Sequence, residues 1–176
     1  ELRLSLVGSE MCIRDRLWPT TADIGMRVFA KDFPSLLSEA GLGMQAYLMS
    51  EASSQHLNTH VRHTGEWRIR AEHNPHDVHF LYLAWLDELL YRAEVHGQWY
   101  VDAMVMVEKD DDGWMAVAQV SWVEAELVER EIEIKAVTTH NLVVAEVHHG
   151  EHIASQWDDV PDFEGPGWYA DVVFDI

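Results

Sequence analysis

At 176 residues and 20.2 kDa the chain has the size of one domain, enough to bury roughly 70% of the surface its unfolded form exposes without covalent or metal staples. Hydrophobic residues make up 48% of it, yet no apolar run approaches the ~20 residues needed to cross a bilayer as a helix. The net charge of -19, from 31 acids against 12 Lys and Arg, argues against gripping a phosphate backbone by counterion release and for docking on a basic partner, so neither direct nucleic-acid binding nor membrane contact is expected.

Residues 1–16 stand apart. The run from Leu6 to Arg16 is similar to a translated sequencing adapter, and it is set aside as a fusion scar, leaving 17–176 as a single domain. The excluded stretch balances Glu1, Glu10 and Asp15 against Arg3, Arg14 and Arg16, so the remainder keeps the full net charge. It also removes Cys12, the only cysteine. Without a disulfide framework, a thiolate or a secretory leader, a cytoplasmic protein is expected.

After Pro19, Met26 to Ala30 reads as a strand, and Asp32 as the N-cap of a helix with Pro34 in its first turn. Leu36, Leu37, Ala40, Met44, Tyr47 and Leu48 recur at helical spacing. Gly41 and Gly43 within that stretch require support from packing or a close neighbour. The polar, His-rich segment from Ser50 to Gly65 reads as a loop, and Trp67 to Ala71 as a strand. Beyond Asn74-Pro75, a second helix carries the strongest stripe of the chain: Val78, Leu81, Tyr82, Trp85, Leu86, Leu89 and Leu90.

Trp99 to Val107 and Trp114 to Val123 form a hairpin around a turn ending in Asp112-Gly113. Three more strands are expected at 131–137, 141–147 and 168–175, with a long polar loop over 148–167. Strands outnumber helices and follow one another, which gives an α+β domain: a mainly antiparallel sheet packed with two helices.

Three separated segments carry the chemistry. Thr21-Ala22-Asp23-Ile24-Gly25 places a carboxylate ahead of the first strand, and Lys135-Ala136-Val137-Thr138-Thr139-His140 supplies a cation and an imidazole. Phe174-Asp175-Ile176 sets Asp175 beside the last carboxylate of the sequence. Carboxylates held close repel, which raises one pKa or calls for a cation. Oxygen-only ligation suits a hard divalent ion.

Read together, these segments resemble archease, with the overlap running from about Thr20 to Ile176 and including Leu-Asp-Glu-Leu-Leu at 86–90. The resemblance implies metal ligands at Asp23, Asp175 and Ile176, with Lys135 and His140 as neighbours of that site. The implied ion is a divalent cation, Ca²⁺ first, with Mg²⁺ or Mn²⁺ as alternatives. It also implies a non-enzymatic activator of the GTP-dependent RtcB-type tRNA-splicing RNA ligase. Thr20 stands where archeases commonly have His, and Thr139 where they commonly have Tyr.

Two other readings follow from the residues. His56, His60 and His63, and His73, His76 and His79, have spacings that align imidazoles for Zn²⁺ if helical, as a small metal-dependent hydrolase would need. Asn58, Gly65 and Pro75 interrupt those stretches, and no His-Glu-x-x-His motif is present. A general chaperone or adaptor for RNA-modifying enzymes would use the acidic surface alone. No Gly-rich phosphate loop or nucleophile elbow occurs.

Overall fold

A computed structural model of the chain describes residues 16–19, 23–155 and 160–176; the segment 1–15 lies outside the described residues, as do Thr20, Thr21 and Ala22. The elements are antiparallel throughout. Strands β1 (Arg16–Pro19), β2 (Asp23–Ala30), β6 (Ala136–Val147) and β9 (Gly167–Asp175) form a four-stranded sheet in the order β1-β2-β9-β6. Strands β3 (His63–Arg70), β4 (Gln98–Asp110) and β5 (Gly113–Glu124) form a second sheet in the order β3-β5-β4.

Helix α1 (Phe33–Leu48) starts where the sequence places it: the Asp32 carboxylate accepts from the Ser35 amide at 2.8 Å, satisfying one of the orphan donors of the first turn. It packs against β2 and β4, and α3 (Val78–Val95) packs against β6, β4 and β3. The two sheets and two helices share one continuous apolar cluster. Met26 and Val28 enter it from β2, Leu36, Leu37 and Met44 from α1, Trp85 and Leu86 from α3, and Trp99, Ala116 and Ala118 from the second sheet. Gly41 lets α1 approach its neighbours closely: a Cβ there would stand 2.8 Å from Leu89 Cδ1 and 3.0 Å from the Tyr100 ring.

Three expectations are corrected. The segment 50–65 is not a plain loop: α2 (Glu51–His56) and a 3-10 turn (Leu57–Thr59) occupy it, so the described residues hold three α-helices rather than two. Helix α2 buries none of its residues. It is held by its Ser50 cap and by bonds from Ser50 N to Glu129 O and from Glu129 N to Ser53 Oγ. Residues 131–135 form no strand. The strand expected at 141–147 is instead the second half of a single β6, whose register shifts between Thr138 and Val143.

The polar segment 148–167 is partly built, with residues 156–159 outside the described set. A short ribbon of β7 (His152–Ile153) and β8 (Phe163–Glu164) folds onto the face of the first sheet opposite the main core. There Phe163 stacks on Phe29 at 4.8 Å, with Val147 completing a small satellite core.

Candidate functional site

Side chains alternate across a strand, and the first sheet uses both faces. On β2, Met26 and Val28 point into the core, so Asp23, Arg27 and Phe29 share the far face. On β9 the same parity puts Asp171 and Asp175 on that face, with Phe174 and Val172 in the core. The register pairs Arg27 with Asp171 and Asp23 with Asp175. One strand thus presents two aspartates, and its neighbour answers the first with a cation and the second with another carboxylate.

The first pair is a complete ion pair. Arg27 donates Nε to Asp171 Oδ1 at 2.6 Å and Nη2 to Oδ2 at 2.7 Å, both side chains are buried, and the guanidinium lies 5.4 Å from the centre of the Tyr169 ring. The bond to Asp171 holds the Arg27 pKa above its ordinary value against the opposing cost of burial. Arg27 is thereby committed about 13 Å up the strand from Asp23, four residues at ~3.3 Å each.

The second pair sits at the end of the sheet, where three strands meet. Asp23 opens β2, Asp175 closes β9, and Ala136 of β6 lies opposite Asp175 on the other side. Carboxylates directly across an antiparallel ladder have Cβ atoms within ~4.5–5.5 Å and destabilise one another unless a cation intervenes. Lys135 comes to this corner from the segment before β6. Its amide donates to Asp175 O at 2.8 Å and its Nζ to the main-chain oxygen of Ile176 at 2.9 Å. Both aspartates are half-buried, while Lys135 and Ile176 are exposed. The corner is open to a partner.

Among the described residues, no bond joins His140 to this group. It lies on the bulge of β6 beside Asn141, whose φ of 53° is left-handed. Its amide bonds to Thr138 Oγ1 at 3.3 Å, and its Nε2 lies 3.1 Å from Asn141 Nδ2. Asp87 of α3 was not singled out as a site residue from sequence, although it stands in the Leu-Asp-Glu-Leu-Leu run. Asp87 is exposed; desolvation by its neighbours raises its carboxyl pKa, opposed by the amide of Val137 in β6.

The histidine clusters are dispersed. His56 ends α2 with Nδ1 on Ala52 O at 2.8 Å, His63 opens β3 at 3.4 Å from Glu124, and His79 turns to Asp77 at 2.7 Å. Among the described residues no three or more His, Cys, Asp or Glu side chains gather to hold a metal ion. That holds for the histidines and for the aspartate corner alike, where two aspartate side chains face each other across the ladder.

The family model described as "Archease protein family (MTH1598/TM1083)" matches residues 16–176. The chain belongs to the archease family. The match begins at the last residue of the segment set apart in the sequence and spans both strands that carry the aspartate corner. The fold is also that of a solved archease, the solution structure of Methanobacterium thermoautotrophicum protein 1598. It has 19% sequence identity and a TM-score of 0.54, covering 92% of this chain and 98% of that one. No curated protein matches the sequence. Among the described residues of this archease, no helix is long and apolar enough to cross a membrane.

Proposed function

We propose that this archease activates a GTP-dependent RtcB-type tRNA-splicing RNA ligase, promoting guanylylation of the ligase and its multiple turnover while catalysing no reaction itself. The observation that carries the reading is Asp23 directly opposite Asp175, with Lys135 bonded to the adjoining main-chain oxygens. Family membership supplies the partner, and the net charge of -19 suits a protein that docks on the basic surface of an RNA enzyme rather than on RNA.

Asp23, Asp175 and the Ile176 oxygen are all hard oxygen donors, and they fit Ca²⁺, with Mg²⁺ or Mn²⁺ as alternatives. Such an ion would neutralise the facing carboxylates and leave coordination positions for groups of the ligase or its nucleotide. Lys135 already engages the Ile176 oxygen, so it sets the position of that donor and adds positive charge beside it.

The test is ligase guanylylation and multiple-turnover joining with this protein added, untagged at its carboxy terminus, beside Asp175→Ala. Stimulation by the parent and its loss in a folded variant are expected. Unchanged stimulation by Asp175→Ala would overturn the assignment of the site.

A further inference from the structure

Among the described residues, strand β4 has an open edge. It pairs with β5 on one side only, in a sheet of order β3-β5-β4. The two-residue turn Asp111-Asp112 makes Asp110 and Gly113 the closing pair of the hairpin, and hydrogen-bonded pairs then recur at every second residue, through Glu108, Met106 and Met104. The main-chain groups of Ala103, Val105, Val107 and Lys109 therefore point away from β5. Ala103 shows this directly: its N–H donates to Asp102 Oδ1 at 2.8 Å and its carbonyl accepts from Ser38 Oγ at 3.2 Å. Those two bonds blunt the edge at Ala103. Past it, among the described residues, the main chain of Val105, Val107 and Lys109 receives no such cover.

The same stretch is apolar on its solvent face. Met104 is 75% exposed and Met106 57%, side by side on the outer surface of the sheet, with Val117 of β5 directly across from Met106. Long unpaired edges with exposed apolar side chains are templates for strand addition, and methionine adapts to varied partners. The rim is acidic: Asp102 and Glu108 on β4 and Asp111 and Asp112 at the turn, against Lys109 alone on that strand.

A second copy of the chain fits poorly. Antiparallel self-pairing centred on Met106 would set Asp102 opposite Asp110 of the other copy and bring together two molecules of net charge -19. We infer that the Met104–Lys109 edge of β4 accepts an extended segment of a basic partner protein as an added strand, with apolar residues beside Met104 and Met106 and Lys or Arg within reach of Asp102 and Glu108. The inference rests on the edge itself and stands whether or not the aspartate corner serves a ligase.

The probe is a capped peptide, Lys-Thr-Val-Thr-Val-Thr-Lys, whose alternate residues match the acid, Met, Met, acid order of the outer face. Amide hydrogen exchange of the full chain, with and without peptide, should show the Val105, Val107 and Lys109 amides slowed at least roughly tenfold, the scale of a hydrogen bond gained. The protection should weaken as salt is raised. A peptide N-methylated at the residues that face the edge should give no protection. Val107→Pro, which removes an outward N–H and no ladder bond, should weaken binding by a similar factor. Absence of protection at these three amides, or equal binding by the N-methylated peptide, would overturn the inference. Their protection in the protein alone at rising concentration would overturn it too, by assigning the edge to a second copy.

Discussion

Asp171 and Asp175 differ by four residues on one strand and have opposite circumstances because of what stands across from them on β2. Asp171 faces Arg27 in a buried bidentate pair, and removing one partner strands the other charge in low dielectric. Asp171→Ala should cost about 3–5 kcal/mol of stability in urea denaturation, and joint replacement of Arg27 and Asp171 by apolar residues of similar size should recover most of it. Asp77 is a second residue whose charge contributes. It caps α3, accepting from the His79 amide at 2.9 Å, and that bond holds its carboxyl below the usual range, helped by the His79 ring. A carboxyl whose folded pKa is depressed stabilises the fold above its unfolded pKa and loses that contribution as pH falls through the folded value. Asp77→Ala should therefore cost about 1 kcal/mol near neutrality, and the gap between parent and variant should shrink as pH drops below the ordinary carboxylate range.

At the scale of elements, the tip of the β4–β5 hairpin is clamped to the turn before α3. Trp114 N donates to Pro75 O at 2.7 Å and Trp114 Nε1 to His76 O at 3.1 Å. Gly113 makes this contact possible: its φ is +113°, and a Cβ there would stand 2.3 Å from Pro75 O. Gly113→Ala should lower stability by about 1–3 kcal/mol, with the Trp114 indole environment altered in fluorescence. The hairpin and helices α1 and α3 were legible in the sequence because each carries a local signal: Asp112-Gly113, the Asp32 cap, and the stripe from Val78 to Leu90. Helix α2 was not legible, since it has no apolar face and owes its position to bonds with Ser50, Ser53 and Glu129. Residues 131–135 alternate like a strand but meet no ladder. Their course is fixed by Glu131 N to Leu48 O, Lys135 N to Asp175 O, Lys135 Nζ to Ile176 O, the bridge of Met49 with Arg130, and Ile134 buried in the core. The bulge in β6 was invisible for the same reason, and two strands were expected where one bends.

Over the whole molecule, the topology turns two distant segments into one corner. Asp23 and Asp175 lie near opposite ends of the chain and become direct neighbours because β9 inserts between β2 and β6. No periodicity in the sequence encodes that register. The residues could be named only through their resemblance to archease, and the buried Arg27–Asp171 pair farther along the same two strands could not be named at all. The chain's acidity then has a local meaning, since two of the carboxylates that make up its net charge of -19 face each other at the corner. The most direct test of the central claim is a double-mutant cycle on ligase guanylylation with Asp23→Ala, Asp175→Ala and both together. If the two carboxylates act as one unit, each single variant should lose nearly as much stimulation as the double, as expected of groups that share one task. Additive losses from two folded single variants, or no loss from either, would contradict it.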